Sequence, residues 1–191
     1  CVMDVTRKLA GGAQKPLIVL GHSMGGLVTS AAVAENLRPV DGLVLSSPAL
    51  ATDVNALQKI LLKVMPKLAP HLCVDNGLNV QFLARDPEVV QAYTHDPMVH
   101  RQISAGLAEW IVQQGQRVRA TASQWSTPTL LMYAGQDRLV APRGSAEFAA
   151  LSPPCVRTHV FEDMFHEIFN DPQREIVLET LKDWLDEHFS L

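Results

Sequence analysis

Ser23, Asp137 and His166 stand where they could act as a nucleophile, an orienting acid and a base. Gly21-His22-Ser23-Met24-Gly25 matches the pattern Gly-x-Ser-x-Gly, in which a sharp turn between a strand and a helix exposes the serine hydroxyl. A serine hydroxyl is a weak nucleophile at neutral pH, so it needs a base to take its proton and an acid to orient that base. The pattern predicts acyl transfer through Ser23 if the chain supplies these partners.

The chain supplies a candidate acid and a candidate base, each in a loop that follows a predicted strand. Asp137 follows Thr129–Ala134, and His166 follows Val156–Phe161. The order serine, acid, histidine, each after a strand, is the order of the triad in α/β-hydrolases. The carboxyl ends of parallel strands are also where open sheets bind their ligands. We therefore expect Ser23, Asp137 and His166 to form a catalytic triad.

Each of these residues also has a purely structural interpretation. Ser23 could belong to an ordinary glycine-rich turn, and Asp137 could be a turn former beside Gly135. Asp53, after the second predicted strand, is the alternative acid. Of the seven histidines, His166 alone lies in a loop after a strand and after the acid. The other six are His22, His71, His95, His100, His159 and His188.

Continuous apolar strands separated by helices must position these residues. Residues 16–20 and 42–48 are apolar rather than alternating, which is typical of parallel strands buried on both faces. With the runs that precede Asp137 and His166, they predict an α/β fold with a mostly parallel sheet flanked by helices. The predicted helices of this core cover residues 1–10, 25–37 and 142–151 and the segment from Asp171 onward.

The segment from residue 49 to residue 126 has a different pattern, because its apolar residues recur at helical spacing. Three helical stretches are predicted, the second opening with Asp86 as cap and Pro87 at the first helical position. No strand pattern interrupts them. We therefore divide the chain into a first part of the core (1–48), a helical cap (49–126) and a C-terminal part of the core (127–191).

Composition excludes several classes of function. Sixteen basic and twenty acidic residues give a net charge of −4, so there is no electrostatic case for a nucleic-acid partner. The three cysteines (Cys1, Cys73 and Cys155) are scattered without metal-type spacing and indicate a reducing compartment, so a cytoplasmic location is expected. No run of about 18 apolar residues predicts a membrane-spanning helix. Neither a metal nor an organic cofactor is expected.

Longer motifs resemble a known family. The runs Gly-His-Ser-Met-Gly-Gly, Ala-Gly-Gln-Asp-Arg-Leu-Val and Phe-His-Glu-Ile-Phe-Asn-Asp are similar to those of the monoacylglycerol lipase and lysophospholipase group of α/β-hydrolases. Residues 83–86 and 93–99 resemble the cap of the same group. The resemblance covers nearly the whole chain. It implies an α/β-hydrolase fold, Ser23, Asp137 and His166 as the triad, and a helical cap over an acyl pocket.

The sequence departs from this group ahead of the serine. Members have several strands before the turn, and one loop there carries a His-Gly motif that supplies an N–H to the oxyanion hole. No such motif precedes Ser23, so the chain resembles about the C-terminal two thirds of the fold. We expect the second oxyanion donor to come from another polypeptide, or this chain alone to be inactive.

The functional hypothesis is hydrolysis of a lipid-type carboxylic ester, a monoacylglycerol or lysophospholipid. Ser23 attacks the ester carbonyl, His166 takes its proton, Asp137 orients the imidazole, and the backbone N–H of Met24 stabilises the oxyanion. We also expect transient contact of the cap with a membrane surface. Apolar cap residues would suit a medium or long acyl chain, or they form the core of the cap itself. They include Leu57, Ile60, Leu61, Leu83 and Trp110.

Two other classes of function fit the same motifs. One is a different enzyme on the same scaffold, such as a peptidase, thioesterase or acyltransferase, because a fold does not fix a function. The other is a non-catalytic binding protein or an inactive fragment.

Overall fold

The computed structural model describes residues 2–9, 15–53, 64–65, 67–69 and 71–189. The described strands are β1 (Ile18–His22), β2 (Gly42–Ser46), β3 (Cys73–Asp75), β4 (Gln102–Ser104), β5 (Thr129–Ala134) and β6 (Val156–Phe161). The described helices of eight or more residues are α1 (Val2–Leu9), α2 (Met24–Ala34), α3 (Pro87–His95), α4 (Ala105–Ala120), α5 (Pro142–Leu151) and α6 (Arg174–Phe189). Short 3-10 helices cover Val80–Phe82, Ala122–Gln124 and Ile168–Asn170.

Four parallel strands form the central sheet, in the order β1-β2-β5-β6. Every residue of β2 and β5 is buried, as their continuous apolar sequences predict. Successive side chains of a strand point to opposite faces, so this sheet needs apolar cover on both sides. The predicted α/β fold, a parallel sheet flanked by helices, is confirmed.

Two hydrophobic clusters lie on the two faces of the sheet. Leu43 and Leu45 of β2 pack with residues of α2, α4 and α5, whereas Val44 between them packs with residues of α6. Trp184 of α6 and Phe148 of α5 are completely buried in their respective clusters. Residues of α2, α4 and α5 therefore cover one face of the sheet, and residues of α6 cover the other.

The segment between β2 and β5 contains a feature that its sequence does not predict. Here β3 and β4 form a short antiparallel ladder, so the expectation of an insertion without strands is wrong. Each strand has three residues, which is too short for a period-two pattern to show in the sequence, and every residue of β3 is exposed. Most of the predicted helical stretch containing Leu57, Ile60 and Leu61 lies outside the described residues.

The helix starts follow local capping chemistry. Asp86 Oδ1 accepts a hydrogen bond from Glu88 N (2.9 Å) and Pro87 is the first residue of α3, as predicted. Ser104 Oγ accepts from Leu107 N (3.2 Å) at the start of α4. None of the helices in the described ranges is both long and apolar enough to cross a membrane.

Candidate active site

Ser23 is the single residue between β1 and α2, and its backbone is strained. Its φ is 53° and its ψ is −122°, a conformation that costs energy for a residue with a side chain. Two hydrogen bonds to the end of β2 hold the turn: Ser23 N donates to Ser46 O (2.9 Å), and Ala49 N donates to Ser23 O (3.0 Å). The side chain makes no capping hydrogen bond, so the hydroxyl is not used to start the helix.

Glycines allow this turn to pack closely, but only one of the two glycines that need the space belongs to the Gly-x-Ser-x-Gly motif. A Cβ added to Gly21 would lie against Thr29 and the carbonyl of Gly25, and one added to Gly26 would lie 2.8 Å from Pro48 Cβ. A Cβ at Gly25, the second motif glycine, would meet no described atom within 4 Å. The steric need for glycine therefore lies at Gly21 and Gly26.

Asp137 and His166 meet in a buried pair. His166 Nδ1 donates to Asp137 Oδ2 at 2.6 Å, and the two residues are 7% (Asp137) and 3% (His166) exposed. Asp137 Oδ1 accepts from the backbone N–H groups of Leu139 (2.8 Å) and Val140 (3.0 Å), which fix the carboxylate. With its proton held on Nδ1, the neutral imidazole has its lone pair on Nε2, the nitrogen that can take a proton from a serine.

The loop that carries His166 is tied to the end of β2 and to the segment between β2 and β5. Ser47 Oγ donates to His166 O at 2.9 Å, and Ser47 itself has a positive φ of 39°. Glu167 N donates to Leu83 O at 2.9 Å. The residues after β2 thus support both the serine turn and the histidine loop.

His22 lies between these two elements. Its ring centroid is 4.8 Å from that of His166, with the planes tilted by 51°. Its Nδ1 lies 2.9 Å from Ser46 Oγ and its Nε2 lies 3.1 Å from Glu167 Oε1. The sequence interpretation gives His22 no role, and its contacts join residues up to 145 positions apart. The one sequence signal is adjacency, since His22 precedes Ser23 and Glu167 follows His166.

Burial alone would raise the pKa of Glu167, but its neighbours more than compensate. The hydrogen bond and the charge of His22 lower the pKa, and Asn170 Nδ2 donates to Glu167 Oε2 at 2.9 Å. The charge of His166 lowers it further. The net pKa of Glu167 lies below its ordinary value, so at neutral pH the side chain is a carboxylate.

The remaining predicted residues can also be placed. Met24 is the first residue of α2, where helix geometry leaves a backbone N–H without an intrahelical partner. Among the described residues, no hydrogen bond joins the hydroxyl of Ser23 to His166; such bonds are often long in unliganded enzymes. Asp53, the alternative acid, is exposed and pairs with Arg143. The structure thus brings Asp137, not Asp53, to His166.

Side chains around the buried pair connect it to the segment between β2 and β5. The guanidinium of Arg138 lies over the ring of Phe82 at 4.4 Å, and the rings of Phe82 and Phe165 are 6.0 Å apart. Leu83 is buried with Ala84 and Val90 in a small cluster of its own.

Trp110, in contrast, packs against the main core. The contacts of Leu83 therefore agree with the interpretation that apolar residues of the segment form its own core, whereas Trp110 contributes to the core beside the sheet. The structure does not describe Leu57, Ile60 and Leu61.

A parallel sheet that presents a strained serine and a buried acid–histidine pair at its strand ends belongs to the class of α/β-hydrolases. Residues 2–173 match the Hydrolase_4 family (serine aminopeptidase, S33), and the chain belongs to that family.

Proteins of known type agree with this assignment. A monoacylglycerol lipase of Mycolicibacterium smegmatis is 37% identical over 177 residues, which are 91% of this chain and 63% of that protein. Phospholipase YtpA of Bacillus subtilis is 31% identical over 178 residues, covering 91% and 69% of the two chains. These similarities confirm the predicted resemblance to the monoacylglycerol lipase group.

Solved structures show the same fold. The crystal structure of the Paleococcus ferrophilus monoacylglycerol lipase superposes with a TM-score of 0.88 at 29% identity, covering 98% of this chain and 73% of that chain. A monoglyceride lipase of Saccharomyces cerevisiae, solved with a substrate analogue, superposes with a TM-score of 0.84 at 22% identity, covering 97% and 65%.

Proposed function

We propose that this protein is a serine hydrolase that cleaves lipid-type carboxylic esters, monoacylglycerols or lysophospholipids, through Ser23, His166 and Asp137. The observation that carries the proposal is the buried 2.6 Å contact between His166 Nδ1 and Asp137 Oδ2. The relatives named monoacylglycerol lipase and phospholipase support the substrate class. The chain spans 63% of the length of the M. smegmatis lipase. The proposed activity therefore rests on the geometry of the site together with this similarity.

The proposed reaction proceeds in two acyl transfers. His166 Nε2 takes the proton of Ser23 while the serine oxygen bonds to the ester carbonyl carbon, and the carbonyl oxygen becomes an oxyanion. Asp137 stabilises the imidazolium, and the backbone N–H of Met24 donates to the oxyanion. When the tetrahedral intermediate collapses, His166 returns the proton to the departing alcohol. Water then repeats the sequence on the acyl-enzyme, releasing the fatty acid and restoring Ser23.

We also propose that residues 49–126 form a cap over the acyl-binding site, with 1–48 and 127–191 forming the core. Two contacts support this arrangement. The carbonyl of Leu83 accepts a hydrogen bond from Glu167 N, next to His166. Arg85 binds Asp171, which lies shortly before α6. Both place parts of the segment beside the histidine loop.

Exposed apolar residues of this segment support a transient contact with a membrane surface. Leu68 and Met98 are 75% and 86% exposed, the two highest values among the described large hydrophobic residues. Exposed apolar side chains favour transfer into the boundary between lipid headgroups and acyl chains. Cosedimentation with phosphatidylcholine vesicles measures this contact. Wild-type binding in a Leu68→Ser/Met98→Ser double variant would contradict it.

A cytoplasmic location remains part of the proposal. Cys73 and Cys155 are free thiols, which persist in reducing compartments. Cell fractionation tests it, and recovery of the protein from an oxidising compartment would contradict it.

Fluorophosphonate labelling of the full-length protein tests the reaction class. These reagents form an adduct on an activated serine, so we expect a single labelled peptide containing Ser23 and loss of the label in Ser23→Ala. Ser152→Ala is the matched control, because Ser152 follows α5 and its hydroxyl donates to Phe148 O, remote from the site. Failure of the wild-type protein to form an adduct on Ser23 would refute the proposed serine hydrolase activity.

The substrate class needs a separate measurement. Monoacylglycerols, lysophospholipids, p-nitrophenyl esters of increasing chain length and short peptides would be compared by kcat/KM. We expect the lipid esters to be turned over at least about 100-fold faster than the peptides, a difference of roughly 2.7 kcal/mol in transition-state binding. Turnover of peptides but not of lipid esters would identify a peptidase instead.

A further inference from the structure

The residues next to the proposed nucleophile and the proposed base are hydrogen-bonded to each other. His22 precedes Ser23 and Glu167 follows His166, and the His22 ring reaches Glu167 on one side and Ser46 on the other. None of the three has a step in the proposed reaction. Their chain of contacts nevertheless joins the end of β1, the end of β2 and the loop after β6, the three elements whose relative placement the reaction requires.

We propose that Ser46, His22 and Glu167 form a positioning chain that holds His166 against the serine turn and places a carboxylate beside its imidazole. This inference rests on the proposed function, because it assigns the chain to the same reaction. His22 and Glu167 act through His166 and touch no reacting atom, so they are positioning residues.

The geometry shows how the chain acts on His166. The ring of His22 lies 4.8 Å from the ring of His166 and limits its movement on that side. Ser46 is completely buried, so the far end of the chain is fixed in the core of the sheet. The neighbouring Ser47 donates to the carbonyl of His166. Two consecutive serines of β2 and its loop therefore hold His166, one through its backbone and the other through His22.

The protonation states follow from the contacts. Because Glu167 is a carboxylate, it accepts the Nε2–H of His22, and whenever the ring is uncharged its Nδ1 accepts the proton of the Ser46 hydroxyl. The tautomer of His22 is thereby fixed from both sides. A ring held at both nitrogens cannot rotate, so it presents the same face to His166 throughout a reaction.

Glu167 also contributes charge. The charge of a protonated His166 lowers the pKa of Glu167, so the Glu167 carboxylate attracts the imidazolium that forms when His166 takes the Ser23 proton. Among the described residues, the titratable groups in contact with His166 or His22 are Asp137 and Glu167, together with the two rings themselves. Asp137 is the primary counter-charge because it binds Nδ1 directly, and Glu167 is a second anion near the same ring.

Glu167→Gln tests the chain with little change in volume. The amide oxygen can still accept from His22 Nε2, but the charge is lost. We expect kcat to fall roughly 5- to 10-fold with KM unchanged, because the lost interaction is strongest in the transition state. The acid limb of the kcat/KM profile should move to lower pH, because the variant removes a negative charge beside the proposed base.

Three further variants complete the test. His22→Phe keeps a ring beside His166 and removes both hydrogen bonds. Its kcat should fall about 10-fold, a smaller loss than removing the base His166 itself would cause. Glu167→Asp restores the charge and should return the acid limb to its wild-type pH. Glu162→Gln is the matched control, since Glu162 is an exposed carboxylate on the same loop, four residues before His166. It should keep wild-type kcat and pH profile.

The outcomes separate this inference from the proposed function. A wild-type protein without esterase activity or a Ser23 adduct refutes the function itself. An active wild type together with a Glu167→Gln variant of equal melting temperature, kcat and pH profile refutes only the positioning chain. A lower melting temperature in Glu167→Gln with an unchanged acid limb also refutes it, because a purely structural role would move stability alone.

Discussion

Asp137 uses its two carboxylate oxygens for different tasks. Oδ2 accepts the Nδ1–H of His166, while Oδ1 accepts the backbone N–H groups of Leu139 and Val140. The second set of bonds fixes the carboxylate to its own loop, so the imidazole is oriented by the backbone that follows β5. Asp137 therefore combines the two interpretations that the sequence allows, since it fixes its own turn and also binds His166.

Asp137→Asn separates these two tasks. The amide oxygen can still accept both backbone N–H groups, so the loop and the free energy of unfolding should change little. The amide nitrogen cannot accept from His166 Nδ1, so the imidazole takes the wrong tautomer and kcat should fall on the order of 1,000- to 10,000-fold. Steady-state kinetics and a thermal melt measure the two effects. Asp53→Asn, at the exposed alternative acid, should keep wild-type kcat; a large loss there would return Asp53 to the site.

At the residue scale, the sequence predicts the acid and the base but not the contacts of His22. The order of serine, acid and histidine along the chain carries a geometric meaning, so the sequence alone favours Asp137 over Asp53. His22 joins Ser46 to Glu167, and no local pattern encodes a contact across 145 positions. Such a contact exists only once the sheet has brought the ends of β1, β2 and β6 together.

At the scale of an element, the serine turn depends both on its local sequence and on a contact with the residues after β2. A strand, a strained residue and a helix follow one another without any connecting loop, since β1 ends at His22 and α2 begins at Met24. Such a turn requires α2 to approach the residues after β2 closely. Gly26 meets that requirement, because Pro48 occupies the space that a side chain would need.

Two neighbouring glycines in the first turn of α2 allow a controlled test. Gly26→Ala places a Cβ 2.8 Å from Pro48 Cβ, so we expect it to lower the free energy of unfolding by about 1–3 kcal/mol. Gly25→Ala meets no described atom and gains helix propensity, so its stability should equal or exceed that of the wild type. Urea unfolding of both variants gives the comparison. Equal stability of the two would show that the close approach to Pro48 relaxes without cost.

The length and the burial of a strand both affect how well the sequence predicts it. The sequence predicts β5 with the bounds that the structure has, because a buried parallel strand is apolar at nearly every position. It also predicts the bounds of β6, although three of the six residues of that strand are exposed. It does not predict β3 and β4, because each has three residues and little buried surface, so neither carries a periodic signal. The predicted start of β1, at Pro16, is two residues early, since an apolar residue before a strand resembles one within it.

At the scale of the molecule, one ion pair joins the segment between β2 and β5 to the end of the chain. Arg85 donates from Nε to Asp171 Oδ2 (2.8 Å) and from a terminal nitrogen to Oδ1 (2.6 Å). The side chain of Asp171 is 2% exposed, and its Oδ1 also accepts from Gln173 N at the approach to α6. Removing one partner of such a pair leaves a buried charge uncompensated.

Arg85→Ala should therefore destabilise the protein at neutral pH by about 3 kcal/mol, measured by urea unfolding. Arg157→Ala is the matched control, because Arg157 pairs with Glu187 at an exposed site where both side chains are about half accessible. A surface pair of this kind contributes at most about 1 kcal/mol. Similar losses in the two variants would mean that the burial of Asp171 adds nothing to the pair.

The pair of Arg85 and Asp171 also predicts how the free energy of unfolding changes at low pH. Burial alone would raise the pKa of Asp171, but the hydrogen bond from Arg85, the bond from Gln173 N and the Arg85 charge bring it below its ordinary value of 3.8. The unfolded chain therefore binds this proton more readily than the folded one, so the stabilisation is present above the ordinary pKa and is lost as pH falls through the lowered value. The difference in unfolding free energy between wild type and Arg85→Ala should be constant near neutral pH and shrink below about pH 4. A difference that stays constant down to about pH 2 would show that the side chain of Arg85 stabilises the fold by packing, independently of the charge on Asp171.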